Sequence, residues 1–296
     1  MPRRSAPARG LRSALAQDEL EVHFQPKLAL DAQSVPGVEA LVRWRDPQRG
    51  LLAPADFLAG LEHHEVLGEL ALFVLDRALA QAAEWRRHGA PLSVAVNVTS
   101  ASLVDESLPA SVSAALRRWD VPPGALVLEI TETAVLQDPD RAVAVLRDLA
   151  AAGVDIALDD FGTGESSLSR LLQFPIVELK IDRTFVHNLA VRLSRGLKVI
   201  RAVVDLAHDL GHRVVAEGVE DRATLDHLAD LGCDQAQGYY ICRPLPAADL
   251  PAWALRAPAA ADRLFSRPLG TPEPGPAESG GLGGAFRSPA VEIGWR

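Results

Sequence analysis

Residues 126–160 read LVLEITETAVLQDPDRAVAVLRDLAAAGVDIALDD. The run begins with a short β-rich segment, Leu126–Thr131, and closes with another, Asp155–Asp159. A longer helical pattern, residues 139–152, lies between them. A strand, a helix and a second strand in this order predict two parallel strands joined by a helical crossover.

The same alternation extends in both directions along the chain. The other strand candidates are Glu21–Leu30, Val38–Trp44, Leu92–Val98, Val177–Ile181, Arg213–Ala216 and Gln235–Ile241. The other predicted helices are Leu67–His88, which stops at Gly89-Ala90-Pro91, and residues 103–119, 195–210, 221–231 and 247–256. Eight strands with helical crossovers favour a closed barrel over an open doubly wound sheet.

The first two strand candidates are joined differently from the rest. Residues 31–37 are too few for a helical crossover, so these two strands should pair antiparallel as a hairpin. The predicted fold is therefore α/β, a TIM-like (β/α)8 barrel with an antiparallel first strand. The sequence has no GxGxxG after the first strand and no GxxxxGK[ST], which weighs against dinucleotide-binding and P-loop folds.

Composition divides the 296 residues into three parts. Residues 10–257 form the predicted folded domain. Residues 1–9 are small and basic, and we expect them to be mobile. Residues 258–296 are rich in proline and glycine, and we expect this tail to be disordered because it has too little apolar surface to offset chain entropy.

Charge and cysteine content restrict the binding partners and the cellular compartment that we expect for this protein. A net charge of −9 disfavours binding to DNA or RNA polymers, although divalent cations could still attract a small phosphate ligand. Cys233 and Cys242 match neither a zinc pattern nor a disulfide framework. There is no apolar run long enough to span a membrane and no secretory signal after Arg4. We expect a cytoplasmic protein.

Polar residues stand at the strand ends, where barrel enzymes place their active sites. They are Glu39, Asn97, Glu129, Glu132, Asp159, Asp160, Lys180, Asp182, Glu217, Glu220 and Gln237. A single carboxylate at such a position is usually a helix cap or a turn residue. Seven strands delivering such groups to one rim indicate something else, because clustered carboxylates repel one another unless cations are bound.

The nature of these groups indicates which metal they would hold. The ligands are oxygen atoms alone, which favours Mg2+ or Mn2+ over zinc or copper. The carboxylates exceed what one octahedral ion needs, which suggests two ions bridged by a shared aspartate. Two such ions suit an in-line displacement at phosphorus. The residues therefore predict a metal-assisted phosphate-ester hydrolase.

Eight sequence blocks add a family resemblance. Glu39-Ala40-Leu41 lies within GVEALVRW (37–44), and the other blocks are FQPKLAL (24–30), VNVTS (96–100), LEITE (128–132), LDDFGTG (158–164), ELKIDRTFV (178–186), VVAEGVE (214–220) and QGYYICRP (237–244). In order and spacing they resemble EAL-domain cyclic di-GMP phosphodiesterases over about residues 10–250. The resemblance implies hydrolysis of cyclic di-GMP to linear pGpG, and a homodimer.

The resemblance also implies a role for each matching residue. One metal would be bound by Glu39, Asn97, Glu129 and Asp159, and the second by Asp159, Asp160 and Glu217. Lys180 would hydrogen-bond the attacking water, with Glu217 as an alternative general base. Asp182 would orient Lys180 or a water at the metals, and Glu132 would anchor the loop after Asp160. The substrate contacts would be Gln25, Arg43 and Gln237, with the Arg43 guanidinium at a phosphate.

Two departures from the family pattern and two other functions stay open. Glu165 replaces an aromatic residue in the loop after Asp160, and His63-His64 stands where the family favours an acidic pair. We interpret both as solvent-exposed. A catalytically weak domain that binds cyclic di-GMP and a partner protein is the main alternative function. A different two-metal barrel hydrolase or lyase is the other.

Overall fold

The computed structural model describes residues 6–31, 34–61, 65–136, 138–162, 173–191 and 193–254. The strands are β1 (Leu20–Ala29), β2 (Gly37–Asp46), β3 (Gly50–Leu52), β4 (Ser93–Asn97), β5 (Leu126–Thr131), β6 (Asp155–Phe161), β7 (Glu178–Ile181), β8 (Arg213–Ala216), β9 (Gln235–Ala236) and β10 (Leu245–Pro246). The α-helices are α1 (Ala6–Ala16), α2 (Pro54–Phe57), α3 (Val66–Arg87), α4 (Ser100–Leu103), α5 (Leu108–Trp119), α6 (Glu132–Val135), α7 (Pro139–Ala151), α8 (Arg183–Val191), α9 (Leu193–Asp209), α10 (Arg222–Asp230) and α11 (Leu250–Ala254).

Eight of these strands close into a barrel. The order is β1, β2, β4, β5, β6, β7, β8 and β9, and β9 pairs again with β1. β1 is antiparallel to both of its barrel neighbours, whereas the other neighbouring strands are parallel. The predicted TIM-like barrel with an antiparallel first strand is confirmed. The short strand β3 pairs antiparallel with β2, and the short strand β10 pairs antiparallel with β1.

One glycine lies where the first hairpin joins the parallel part of the barrel. β1 and β2 pair from Leu20 opposite Trp44 to Lys27 opposite Gly37. Gly37 also pairs with Ser93 of β4, and a Cβ atom at position 37 would lie 2.1 Å from Ser93 Oγ. Only glycine therefore lets β4 approach β2 closely enough to continue the barrel from the antiparallel hairpin into its parallel part.

The apolar core lies between the barrel and its helices. Strand side chains alternate between the two faces of a sheet. In β5, the side chains of Leu126, Leu128 and Ile130 alternate with those of Val127 and Glu129, and only the first three join the large apolar cluster. Helix α3 supplies much of the opposing surface of this cluster, with Leu70, Val74, Ala78 and Leu79 all fully buried. The inward-facing side chains of β5 are therefore not part of this large apolar core.

Helix bounds differ from the prediction where tertiary packing decides them. Helix α1 begins at Ala6, so the boundary predicted at residue 10 falls inside a helix whose Leu11 side chain is fully buried. The predicted helix 103–119 is two helices, α4 and α5, because Pro109 favours a new helix start near residue 108. The short helices α2, α6 and α8 were not predicted.

The eighth predicted strand, residues 235–241, is wrong beyond Ala236. Gly238 lies against the backbone of Val219, and a Cβ atom there would be 2.1 Å from the Val219 carbonyl oxygen. The amides of Tyr240 and Cys242 then donate to Val219 and Gly238, which turns the chain out of the sheet. Gln237 is therefore held at the point where the chain leaves the barrel.

Some predicted features fall outside the described residues. These are His63-His64, Glu165 and the tail 258–296. None of the described helices has the length and apolar character needed to cross a membrane.

Candidate two-metal phosphodiester site

The ammonium group of Lys180 lies at the centre of the candidate site. Lys180 is on β7 and is fully buried. Its Nζ lies 2.8 Å from Glu129 Oε2, 3.3 Å from Asp159 Oδ2 and 2.5 Å from Glu217 Oε1. Glu39 Oε2 is 3.9 Å away. One cation therefore joins carboxylates that come from four other parts of the barrel.

The strand register brings these carboxylates to one face. Asn97 of β4 pairs with Glu129 of β5, and Thr131 of β5 pairs with Asp159 of β6. Paired residues on neighbouring strands point to the same side, so these side chains all point into the barrel. Glu217 follows β8, and its amide donates to the Ile181 carbonyl, 3.1 Å away.

Asp159 and Asp160 are neighbours in sequence, yet both contribute to one cluster. Adjacent side chains of a regular strand point to opposite faces. Here the β6–β7 register shifts between Leu158 and Phe161, and Asp160 has a φ of 56°. The Asp160 amide donates to Asp159 Oδ1 at 2.8 Å. As a result, oxygens of Asp159, Asp160 and Glu217 lie within 4.8 Å of one another.

A chain of amides holds Glu39 at the other side of the site. Asn97 Nδ2 donates to Glu39 Oε1 at 2.9 Å, and Gln237 Nε2 donates to Glu39 Oε2 at 2.6 Å. Gln237 Nε2 also lies 3.0 Å from Gln25 Oε1, and Gln25 Nε2 donates to the Cys242 carbonyl at 2.9 Å. Of the two predicted substrate contacts, Gln237 is therefore hydrogen-bonded directly to a predicted metal ligand, and Gln25 is linked to it through Gln237.

Buried carboxylates outnumber buried lysines in the described part of the chain, and most of them lie at or next to the site. Within the described ranges, two lysines are buried against eight carboxylates: Glu39, Glu129, Glu132, Asp159, Asp160, Glu178, Asp182 and Glu217. Burial raises the pKa of Glu39, and the nearby Glu129 and Asp159 add to this effect against the opposing charge of Lys180. Clustered buried oxygen donors with excess negative charge fit hard divalent cations, for which Mg2+ and Mn2+ are the usual choices.

Lys27 is a buried cation to which the sequence interpretation assigned no role. Its Nζ lies 2.9 Å from Glu129 Oε1 and 2.8 Å from Glu178 Oε1. Burial alone would raise the pKa of Glu129, but Lys180 and Lys27 outweigh it and lower that pKa to about 2. Burial would likewise lower the pKa of Lys27, yet Glu129 and Glu178 hold it above its ordinary value. Glu129 is therefore an anion held between two cations.

Three other predicted site residues are held by different contacts. Asp182 Oδ1 accepts from the Thr184 amide at 2.8 Å and from its hydroxyl at 2.5 Å, as an N-cap of α8 does. Glu132 is buried at the start of α6, and the loop it was predicted to anchor includes residues 163–172, outside the described part of the chain. Arg43 shares a strand face with Glu39, donates to the Val42 carbonyl and has its pKa lowered by burial.

Sequence reasoning also missed an aromatic side chain at the open side of the site. Tyr239 is 54% exposed, and the Arg243 guanidinium carbon lies 4.3 Å from its ring centroid. Tyr239 is close enough to Arg43 to affect its pKa. The signal in the sequence was a tyrosine two positions after Gln237. Because a strand was predicted through residue 241, this tyrosine was given no role.

Comparison with known proteins identifies the family. Residues 8–244 match the family described as EAL domain. The chain belongs to this family. MucR of Pseudomonas aeruginosa, named a bifunctional diguanylate cyclase/cyclic di-GMP phosphodiesterase, is 41% identical over 241 residues, which are 81% of this chain and 35% of MucR. RocR of the same organism, named a cyclic di-GMP phosphodiesterase, is 38% identical over 232 residues, which are 78% of this chain and 59% of RocR.

A solved structure shares the fold of this EAL domain. It is described as the PaMucR phosphodiesterase in a c-di-GMP complex, and it matches with a TM-score of 0.78 at 40% identity. The match covers 82% of this chain and 99% of that one. The present chain spans less than two thirds of the length of both MucR and RocR. The match with them therefore concerns the EAL domain.

Proposed function

We propose that this EAL domain hydrolyses cyclic di-GMP to linear pGpG with the help of two divalent cations, Mg2+ or Mn2+. The observation that carries the proposal is the contact of Lys180 with Glu129, Asp159 and Glu217 beside the Asp159, Asp160 and Glu217 oxygen cluster. The names of MucR and RocR and the c-di-GMP complex of the related structure support the choice of substrate.

The residues of the chain divide the work between binding and chemistry. Glu39, Asn97, Glu129 and Asp159 would hold one ion, and Asp159, Asp160 and Glu217 the other. Two such ions stabilise the attacking and leaving oxygens of an in-line displacement at phosphorus. Lys180 would orient the attacking water, because an ammonium among carboxylates stays charged and donates. Glu217, whose Oε1 lies 2.5 Å from Lys180 Nζ, would be the alternative general base for that water.

Substrate binding falls to groups at the open side of the barrel. Gln25 and Gln237 offer amides next to Glu39, and the buried Gln237 Oε1 atom accepts no hydrogen bond from the described residues. A guanine base or ribose hydroxyl could donate to it. Arg43 would bind a phosphate oxygen, for which the planar guanidinium is suited.

The test is to incubate the purified chain with cyclic di-GMP and Mn2+ or Mg2+ and to separate the products by chromatography. We expect linear pGpG with either ion and no hydrolysis in excess EDTA. Ca2+ should support binding but little turnover, because its looser coordination positions the nucleophile poorly. Full hydrolysis in excess chelator would contradict the metal requirement.

The same assay separates the enzyme from a non-catalytic receptor. A receptor would bind cyclic di-GMP but release no product with any of the three ions. The described site contains every predicted metal ligand together with Lys180, which favours the enzyme. Homodimer formation and a cytoplasmic location stay predictions from the sequence, and light scattering of the purified chain tests the first.

A further inference from the structure

The basic residues of this chain are used unevenly. Only three of its 30 lysine and arginine residues are lysines: Lys27, Lys180 and Lys198. The two basic side chains buried within the described ranges, Lys27 and Lys180, are both lysines, whereas Lys198 is exposed on α9. A lysine presents a compact ammonium with three donors, whereas an arginine presents a broad planar fork. Both buried basic side chains are therefore lysines, although lysine is the rarer basic residue of this chain.

Both buried lysines form ion pairs with the same carboxylate, that of Glu129. Lys180 Nζ lies 2.8 Å from Glu129 Oε2, and Lys27 Nζ lies 2.9 Å from Glu129 Oε1. A carboxylate held at one oxygen can still rotate about that bond, whereas one held at both oxygens has a fixed plane. Glu129 is 1% exposed, so no bulk water competes for either oxygen.

Lys27 is itself fixed from the far side. Its Nζ lies 2.8 Å from Glu178 Oε1, and Arg213 Nε lies 3.7 Å from Glu178 Oε2. Ala157 separates the two carboxylates on the inner face, because it pairs with both Glu129 and Glu178. The Lys27 ammonium is therefore held between Glu178 and Glu129.

We propose that Lys27 is a positioning residue of the metal site, which fixes the plane of the Glu129 carboxylate with its Oε2 atom toward Lys180, as a ligand of the proposed cation would require. This inference rests on the proposed function, since it takes Glu129 as a metal ligand. Lys27 acts through Glu129 and does not itself contact the reacting atoms.

Removing Lys27 should change the metal affinity in opposite directions, depending on whether Lys27 positions Glu129 or acts only through its charge. Removing a positive charge beside a cation site strengthens cation binding if only electrostatics matters. Loss of a positioning partner behind a ligand weakens metal binding, typically by about 10- to 100-fold. Lys27→Met therefore has opposite expected effects under the two explanations. The matched control is Glu178→Gln, which removes a charge but keeps an oxygen that can accept from Lys27.

The experiment measures the Mn2+ dissociation constant of the metal-free full chain by electron paramagnetic resonance, without substrate, for wild type and four variants. We expect Lys27→Met to raise this constant at least about tenfold. Glu178→Gln and the surface control Lys198→Met should stay within about threefold of wild type. The turnover number of Lys27→Met at saturating Mn2+ should fall while the KM for cyclic di-GMP stays near its wild-type value.

The fourth variant, Lys27→Met with Glu178→Met, covers a possible failure of the single variant to fold. It removes both charges of the anchor, so no unpaired Glu178 charge remains buried, but Glu129 still lacks its second donor. Weakened Mn2+ binding in this variant supports positioning, and wild-type binding would mean that Lys27 only neutralises Glu178. Unchanged or tighter Mn2+ binding by a folded Lys27→Met would also overturn the inference. A wild-type chain that binds no Mn2+ would instead refute the proposed function.

Discussion

The two faces of strand β5 are equally buried but differ in chemistry near its carboxyl end. In β5, Leu128 and Ile130 face the helices and are 2% and 0% exposed, whereas Glu129 between them faces the interior and is 1% exposed. Burying a leucine or isoleucine contributes roughly 1.5–3 kcal/mol to stability. Burying a carboxylate costs free energy unless it is paired with a cation. Burial alone therefore says nothing about which face stabilises the fold.

The contrast indicates that stability and function are assigned to alternate residues of the same strands. The outer face holds the barrel together with its helices. The inner face collects negative charge that Lys27 and Lys180 balance only in part. The two faces should therefore respond to mutation in opposite ways.

The largest effect is expected at Glu39 on the inner face. Glu39→Ala removes a charged ligand that Asn97 and Gln237 hold in place, so turnover should fall by about a thousandfold or more. The measurement is the turnover number with Mn2+ at saturating cyclic di-GMP. An unchanged far-ultraviolet circular dichroism spectrum serves as the control for folding. A loss below about tenfold would remove Glu39 from the metal site.

In EDTA, without bound metal, a Glu39 variant should be more stable than wild type, although it has lost activity. Burial raises the folded-state pKa of Glu39. A group with a raised folded pKa favours the folded state below its unfolded pKa of about 4.5, and this advantage is lost as the pH rises through the folded pKa. Glu39→Gln should therefore raise the metal-free melting temperature relative to wild type more at pH 8 than at pH 5. A variant less stable than wild type at pH 8 would contradict the charge argument.

A smaller loss of turnover is expected at Lys180. Lys180→Met keeps the length of the stem but removes three donors, so turnover should fall roughly a hundredfold, the scale of one positioned catalytic donor. Affinity for cyclic di-GMP measured in Ca2+ should survive, because Gln25, Arg43 and Gln237 remain. Weaker affinity with normal turnover at saturation would make Lys180 a substrate-binding residue.

The smallest effect on turnover is expected on the outer face. Leu128→Ala leaves a cavity between β5 and its helices and should lower the free energy of unfolding by about 2–5 kcal/mol. The turnover number per folded molecule should change less than about threefold, since Leu128 faces away from the site. Chemical denaturation and an assay well below the melting temperature measure the two quantities. A large loss of turnover would show that the two faces are not independent.

The amino-acid sequence determined the fold class and most strands because both depend on local patterns. Short β-rich runs alternating with helical patterns predict parallel strands, and the short link before Gly37 predicts the antiparallel hairpin. The sequence also identified carboxylates at the strand ends, since residue type and position along a strand are enough to place them at one rim. The family blocks then supplied their proposed roles.

Only the tertiary structure decided features that depend on contacts between distant residues. Lys27 lies 102 residues before Glu129 and 151 before Glu178, and no local pattern relates them. The close packing of Gly238 against Val219 ends the eighth strand early, although its side-chain pattern continues. Asp160 reaches the site through a left-handed backbone conformation at the point where the β6–β7 register shifts. Sequence patterns report which face a side chain prefers, whereas packing decides which groups on that face meet.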